Sequence, residues 1–312
     1  MGRDSTYDLF KKQKSSLLKP VRRSAEFLVL KLLQYLSAML SIPANQRVGA
    51  FLGQVAYHLA RKDRGIAAYQ LGFCYPEMDR SQHLRIARHT FRHFGTTLFE
   101  TLAVNRIRKD PHRWIVLENE GLIHECLKEG KGLVLMFGHV GNWELYAIIY
   151  EMLGIRGMTI SSSIGDDKLD RLLLSIRHSD HIKTIHRGDR SSAKEILKCF
   201  RNNQVFLFAM DQDTRVKTVY VNFFGRKAAT ASGAATFAQK FDAPVVSGFG
   251  ARQPDGTHLY RFKLLSRSPY QGSEEEVIQL TQLYNDALET HIRNYPEQWV
   301  WFHRRWKNQP DP

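Results

Sequence analysis

The sequence has few cysteines and no apolar run long enough for a clean transmembrane helix, and each shortage excludes a class of protein. Its three cysteines, Cys74, Cys126 and Cys199, are odd in number and far apart. They indicate neither a disulfide framework nor a metal knot, and they favour a reducing compartment. The apolar stretch at 27–42 would extend roughly 24 Å as a helix, short of the roughly 30 Å hydrocarbon core of a bilayer. No A-x-A cleavage site follows it, which argues against a signal peptide.

The composition is that of a globular and unusually basic protein. The 312 residues are 43% hydrophobic and 11% aromatic, enough for a sizeable core, so disordered, collagen-like and low-complexity classes are excluded. The formal net charge is +14 and the isoelectric point is about 9.7. A charge of this size predicts a polyanionic partner: nucleic acid, an anionic membrane surface or a phosphorylated substrate.

The positive charge is concentrated near the N-terminus. Residues 1–70 carry twelve Lys and Arg against four acidic residues, a net +8. Within them, 1–24 is a basic leader, and the apolar stretch at 27–42 contains one charge, Lys31. We expect 27–42 to be a membrane-associating helix that lies in the interface, with basic side chains reaching anionic headgroups. A core helix behind a solvated basic leader is the alternative.

The hydrophobic pattern changes at Pro111. Before it, the pattern predicts a helical N-terminal region, 25–110, with helices near 24–41, 45–61 and 81–104. After it, short apolar runs predict buried strands at 114–118, 132–137, 157–162, 205–210, 243–249 and 260–265. Helical windows alternate with them near 119–129, 142–153, 166–179, 191–202, 229–241 and 274–293. This predicts an α/β core, 111–312, with a mostly parallel central sheet flanked by helices and ligands beyond the C-terminal strand ends.

A motif with catalytic residue types follows the predicted strand at 132–137. It reads GHVGNWE over 138–144 and spaces His139 and Glu144 as H-x4-E. With His139 in the loop and Glu144 in the first helical turn, the carboxylate would reach back to the imidazole much as a capping-box Glu does. A His oriented by a carboxylate is a general base, and without a neighbouring Ser or Cys the nucleophile is expected to be the substrate's hydroxyl. A capped helix with a satisfied loop histidine is the competing interpretation, against which the coincidence of strand, glycine turn and helix start argues.

Four motifs in order resemble those of the lipid A biosynthesis acyltransferases, the lauroyl/myristoyl branch of the lysophospholipid acyltransferase superfamily. The first is GHVGNWE itself, and the second is FAMDQD at 208–213. The third is VNFFGRKAATASGAATFAQKFDAPVV at 221–246, and the fourth is YPEQWVWFHRRWK at 295–307. The likeness covers most of the chain from about residue 25.

The resemblance implies a glycerolipid acyltransferase-like fold and a reaction. A fatty acyl group would move from an acyl carrier protein or coenzyme A thioester to a hydroxyl of a membrane glycolipid. By similarity His139 is the base and Glu144 its partner, and the helix-start amides near Asn142 are candidate donors to the tetrahedral oxyanion. The chemistry requires no metal or redox cofactor. The family also implies the cytoplasmic face of a bacterial inner membrane.

The resemblance assigns further substrate-binding residues. Asp211 and Gln212 follow a predicted strand, and Asp211 would order an arginine or contact a substrate polar group. Arg187 would hold a phosphate of the acceptor. An arginine that family members carry after the third sheet strand is missing here, and Arg171 or Arg177 would be its replacement. The Phe223-Phe224-Gly225 stretch would line an acyl groove or form a core edge with a turn.

Three other interpretations remain open at the level of sequence. One has a glycerophospholipid, an aminolipid or another glycolipid as the acceptor, and another makes the chain a non-catalytic lipid-binding scaffold. A basic nucleic-acid-binding protein is disfavoured because no helix-turn-helix, zinc-finger, RRM or KH signature is present. The C-terminal QWVWFHRRWK suits a membrane–water interface, nucleic acid or a Trp-anchored terminal strand, and His303 within it is expected to be structural.

Overall fold

The computed structural model describes residues 24, 27–162, 166–213 and 217–310, without the side chains of Asp167, Leu169 and Leu173. The predicted basic leader, 1–24, therefore lies outside the described residues except for its last position. The strands are β1 Ile115–Glu118, β2 Leu133–Phe137, β3 Gly157–Ser161, β4 Ile182–His186, β5 Val205–Ala209, β6 Thr218–Phe223, β7 Arg226–Ala231, β8 Val245–Arg252 and β9 His258–Ser266.

A seven-stranded sheet forms the centre of the fold. Its strand order is β1-β9-β8-β2-β5-β3-β4, and every neighbouring pair is parallel except β8–β9. All five residues of β2 are buried, as expected of an uninterrupted apolar run in a parallel sheet covered on both faces. The prediction of a mostly parallel α/β sheet is confirmed.

Helices precede the sheet and cover its faces. Helix α1 occupies described residues 27–39, and it is followed by α2 Ile42–Leu59, α3 Arg61–Cys74, α4 Arg80–Leu102, α5 Val104–Lys109, α6 Pro111–Trp114, α7 Gly121–Leu127, α8 Tyr146–Met152, α9 Asp167–Ile176, α10 Ser192–Arg201, α11 Gly233–Phe241 and α12 Glu274–Asn294. Local sequence sets their starts. Asp79 and Gln82, for example, form a reciprocal capping box before α4. None of the helices in the described part of the chain is long and apolar enough to cross a membrane.

Three strands differ from the sequence prediction. Strands β4 and β6 were not predicted. Strand β7, which forms an antiparallel hairpin with β6, extends to Ala231 within the predicted helix 229–241, so that α11 begins only at Gly233. The hairpin turns at Phe224 and Gly225, whose φ angles of 52° and 73° fit a two-residue primed turn. Both Phe223 and Phe224 are buried against the C-terminal tryptophans, so this stretch is a core edge with a turn.

Helix α2 packs closely on α4 through glycine. A Cβ atom added to Gly95 would lie 2.2 Å from the carbonyl oxygen of Gly49 and 2.8 Å from the backbone nitrogen of Gly53. Reciprocally, a Cβ on Gly53 would lie 2.2 Å from the carbonyl oxygen of Phe91. The two backbones touch, so no side chain fits between the helices at these positions.

We predict that Gly95→Ala lowers the free energy of unfolding by about 1–3 kcal/mol, because the new methyl group must push α2 and α4 apart. In an open helix the same change is favourable by about 0.5–1 kcal/mol. Gly65→Ala in α3 is the matched control, since nothing lies within 4 Å of the added Cβ. Denaturant unfolding measures both. Equal stability of the two variants would contradict the close α2–α4 contact.

Candidate functional site

A cleft of about 310 Å³ opens where β2, β3, β4 and β5 end. This is the C-terminal edge of the parallel strands, where open α/β sheets place their ligands. Both members of the H-x4-E pair line it, together with Arg187 and Gln212, which the sequence also predicted as site residues. The remaining walls are mostly apolar or hydroxylated side chains, including Phe137, Trp143, Thr159, Ile160, Ser161 and Leu207.

Strand register brings His139 next to Asp211. In the β2–β5 pair, Phe137 stands opposite Ala209. His139 lies two residues beyond Phe137, and Asp211 lies two residues beyond Ala209, so both leave the sheet at the same level. His139 Nδ1 is 2.8 Å from Asp211 Oδ1, and the backbone N–H of His139 donates to Asp211 Oδ2 at 2.7 Å.

Asp211 is a fully buried carboxylate with three N–H donors. Besides the two from His139, the indole N–H of Trp299 donates to Oδ2 at 3.0 Å. Burial alone would raise the pKa of the Asp211 carboxyl, but the adjacent imidazole and these hydrogen bonds lower it to about 2. Because the ionised carboxylate only accepts, Nδ1 of His139 carries the proton. Nε2 is then the ring nitrogen left for a substrate.

Glu144 has a different partner from the one that the motif predicted. Its carboxylate is held by the guanidinium of Arg177, with Nε and Nη2 each 2.5 Å from one oxygen. Arg177 follows the end of α9 and lines the cleft, whereas Arg171, the other replacement that the sequence suggested, is not among the residues that line it. The prediction that Glu144 fixes the tautomer of His139 is corrected here: Asp211 occupies that position, because strand register places it beside Nδ1 while Glu144 lies in the 3-10 turn Trp143–Leu145.

Asn142 is buried and bonded to the protein itself. Its side-chain Oδ1 accepts from the backbone N–H of Glu144 at 3.2 Å, and its Nδ2 donates to Glu100 at 2.9 Å. The hydroxyl of Tyr260 donates to its carbonyl oxygen. The Asn142 side chain thus shapes the turn, and it does not extend into the cleft as a substrate ligand.

A buried charge supports this turn from behind. Glu100, on α4, is fully buried and accepts from both Arg252 nitrogens at 2.6 and 3.0 Å, and from Gln46 at 2.8 Å. Burial would raise the pKa of this carboxyl, but Arg252 and His258 hold it well below its usual range. No local sequence signal predicts this cluster, because Glu100 is 42 residues from Asn142, 54 from Gln46 and 152 from Arg252.

Gly141 is required by its conformation and its surroundings. Its φ angle is +63°, and an added Cβ would lie 2.3 Å from the carbonyl oxygen of Gly250. Its own N–H donates to Gln298 at 3.2 Å, and its carbonyl lies 3.0 Å from the Nε2 atom of His93. The turn that carries His139 is therefore fixed by α4, β8 and the C-terminal segment together.

The C-terminal tryptophan segment is part of the core. Trp299, Trp301 and Arg305 are fully buried, and Trp299 pairs with Val140 in an antiparallel bridge. Of the three interpretations of this segment, the Trp-anchored terminus matches. His303 accepts from the backbone N–H of Asp213 at 3.2 Å, the structural role expected for it.

A second cavity of about 330 Å³ adjoins the cleft. The two share four lining residues, Ile160, Arg187, Leu207 and Ala209. Aromatic and small side chains form most of the rest of its wall, including Phe208, Phe237, Ala231 and Gly233. No group of three or more His, Cys, Asp or Glu side chains arranged for a metal ion occurs among the residues that the structure describes.

The chain is similar to known proteins over most of its length. Residues 10–308 match the family described as bacterial lipid A biosynthesis acyltransferase. The lipid A biosynthesis lauroyltransferase of Escherichia coli K12 is 25% identical over 281 residues, 89% of this chain and 90% of that protein. The lipid A biosynthesis palmitoleoyltransferase of the same strain is 21% identical over 88% of this chain and 89% of that protein. A phosphatidylinositol mannoside acyltransferase of Mycolicibacterium smegmatis is 22% identical over 58% of this chain and 59% of that protein.

We predict that Glu100→Gln lowers the free energy of unfolding by about 3–5 kcal/mol, because it leaves the Arg252 charge buried without its counter-ion. Glu118→Gln is the matched control. The Glu118–Arg261 pair has the same chemistry at 2.6 Å, but both side chains are about half exposed, and its loss is expected to cost less than about 1 kcal/mol. Denaturant unfolding at neutral pH compares them, and similar losses would contradict a special role for the buried cluster.

Proposed function

The chain belongs to the bacterial lipid A biosynthesis acyltransferase family, and we propose that it transfers a fatty acyl chain from a thioester donor to a hydroxyl of a lipid A-type glycolipid. The observation that carries the mechanism is the contact of His139 Nδ1 with the buried carboxylate of Asp211, at the mouth of the cleft. It gives the imidazole one defined tautomer and leaves Nε2 as a base.

In the proposed reaction, Nε2 of His139 takes the proton of the acceptor hydroxyl as its oxygen attacks the thioester carbonyl carbon. The new C–O bond gives a tetrahedral oxyanion, whose collapse breaks the C–S bond. The imidazolium then returns its proton to the departing thiolate, so the histidine ends as it began. Asp211, ionised throughout, stabilises the transient imidazolium at 2.8 Å. No metal or redox cofactor takes part in these steps.

We assign Glu144 and Arg177 to binding of the acceptor rather than to proton transfer. Glu144 holds the guanidinium of Arg177 through two hydrogen bonds, and both side chains line the cleft that contains His139. Arg187, exposed at the end of β4, adds a second cation at the same cleft. Two arginines offer a bidentate site for a phosphate group, the feature that a lipid A-type acceptor supplies.

The adjoining apolar cavity is the proposed place of the acyl chain. It begins at Leu207 and Ala209, which also line the cleft, and it extends between Phe208 and Phe237. A chain lying there would have its thioester carbonyl near His139 while its methylenes leave water, each contributing about 0.8 kcal/mol. The donor is an acyl carrier protein thioester or a coenzyme A thioester, and the turnover assay compares the two.

The proposed location is the cytoplasmic face of a bacterial inner membrane. Thioester donors of both kinds are water-soluble carriers, whereas the acceptor is a membrane lipid, so the enzyme must work at a surface. The net +8 of residues 1–70 favours an anionic one.

The test is a turnover assay of the purified full chain with acyl carrier protein and coenzyme A donors. Acceptors are a lipid A precursor, a phosphatidylinositol mannoside and a lysophospholipid, with products resolved by mass spectrometry. We expect acylation of the lipid A precursor. Transfer to the mannoside or the lysophospholipid alone would overturn the acceptor assignment, and no transfer to any acceptor would overturn the activity.

In the same assay, His139→Asn and Asp211→Asn are each expected to lower kcat by at least about 100-fold, since one removes the base and the other its orienting carboxylate. His112→Asn, which changes an exposed histidine outside the cleft, is the control for a simple loss of imidazole. Thermal unfolding checks that the variants remain folded. An Asp211→Asn enzyme with nearly normal kcat would contradict the assigned pair.

Glu144→Gln distinguishes two roles of Glu144: holding Arg177 for acceptor binding, as proposed above, and assisting His139 in proton transfer, as the motif predicts. If Glu144 serves to hold Arg177, the change raises KM for the acceptor several-fold more than it lowers kcat. Arg177→Gln is then expected to give a similar shift, and the double variant little more, because the two residues act as a pair. A collapse of kcat in Glu144→Gln with unchanged KM would instead assign it to proton transfer.

A further inference from the structure

Helix α1 exposes one apolar face. Leu28, Val29, Leu32, Tyr35, Leu36 and Met39 are all exposed. At 100° per residue these six positions fall within an arc of roughly 120°. The face is the one that an interfacial helix would turn toward lipid, as the sequence predicted for 27–42.

Helix α2 repeats the pattern. Its exposed large apolar side chains are Val48, Phe51, Leu52, Val55 and Leu59, of which Phe51 and Leu59 are 64% and 77% exposed. These positions fall within roughly 100° of arc. Two consecutive helices, joined by only two residues, therefore each expose a stripe of large apolar side chains that has no partner among the residues that the structure describes.

The residues that α2 does bury are unusual for a helix packed in water. At the centre of its contact with α4 stand Gly49 and Gly53, a G-x-x-x-G pair that meets Gly95. Burying Phe51 or Leu59 instead would remove far more apolar area from water. Helices surrounded by lipid show this arrangement: small residues form the contact between helices, and large apolar residues face outward.

The charges around this face are positive. Described residues 27–74 contain Lys31, Arg47, Arg61, Lys62 and Arg64 against the single acid Asp63. Arg47 and Arg92 also line one groove with Phe51, and the acid Asp255 lines the same groove. Basic side chains flanking an apolar stripe complement the headgroups of an anionic leaflet.

We propose that α2 lies with α1 in the interface of an anionic bilayer, so that the docking face comprises the exposed stripes of both helices. The proposal extends the function above by naming the surface through which the enzyme meets its membrane. It also places the cleft. Gly95 of α4 touches α2, whereas Phe94 packs on Trp143 at 5.5 Å and Trp143 packs on His139 at 5.1 Å. One helix layer, about 8–10 Å, separates the docked helix from the turn that carries His139.

The experiment probes α2 directly, so that binding through α1 alone does not imitate it. Val55→Cys is labelled with an environment-sensitive fluorophore, while Cys74, Cys126 and Cys199 are buried and have raised thiol pKa values, which keeps them unreactive. Vesicles of phosphatidylethanolamine and phosphatidylglycerol with brominated acyl chains are then added. Quenching is expected at 55 and not at Ile278→Cys, an exposed apolar position on α12.

A second variant measures the contribution of the stripe. Phe51→Gln with Leu59→Gln is expected to lower the vesicle partition coefficient at least about tenfold, as two large apolar side chains stay in water. Ile278→Gln with Leu283→Gln changes two apolar side chains of α12 that are 45% and 44% exposed; this pair is the control and should leave the partition coefficient unchanged. Because all four side chains are exposed, unfolding midpoints are expected to stay near that of the unaltered protein.

Absence of quenching at 55 while the protein binds vesicles would overturn the proposal, since α1 would then dock alone. A blue-shifted label and a dimer mass in solution without lipid would also overturn it, because a second copy of the chain would be the occupant. Binding is measured without turnover, so neither result depends on the acyl transfer assay.

Discussion

The buried carboxylate of Asp211 is the interaction on which the rest of the site depends. An isolated charge at such a depth would be neutralised, and it stays ionised because three N–H groups face it, one of them on the imidazole of His139. Those donors belong to the end of β2 and to the C-terminal segment, while Asp211 itself follows β5. One group thus ties together three parts of the chain that are distant in sequence. Its negative charge also determines which nitrogen of His139 faces the cleft.

How much of this the sequence predicts depends on how local the determinant is. Several of the six strands predicted after Pro111 are short, nearly continuous apolar runs, such as LVLMF of β2 and VFLFA of β5. Strand β4, IKTIH, and the hairpin strand β6, TVYVNF, alternate polar and apolar residues and give a weaker signal. The turn between β6 and β7 is made by Phe224 and Gly225, and an aromatic residue at positive φ is not an expected turn residue.

The candidate site shows the same limit more sharply. The motif at 138–144 identifies His139, because a strand, a glycine and a helical start coincide within a few residues. It also suggests Glu144 as the partner, since sequence offers only near neighbours. The actual partner of the imidazole is 72 residues away and is selected by the pairing of β2 with β5. It lies two residues beyond Ala209, which pairs with Phe137, so the register of the two strands is needed to find it. Glu100 and Arg252 have no such signal.

Helix α4 lies between helix α2 and the turn that carries His139. One side of it meets the glycines of α2, and another carries Glu100, His93 and Phe94 toward the turn of His139. A buried ion pair is a weak source of stability, because desolvation cancels most of its attraction. The Glu100–Arg252 pair instead fixes positions. Arg252 orients the carboxylate of Glu100, and that carboxylate accepts a hydrogen bond from Asn142, which shapes the turn. In the proposed docking, a membrane that holds α2 would also set the depth of His139, because packed interiors transmit displacements rather than absorb them.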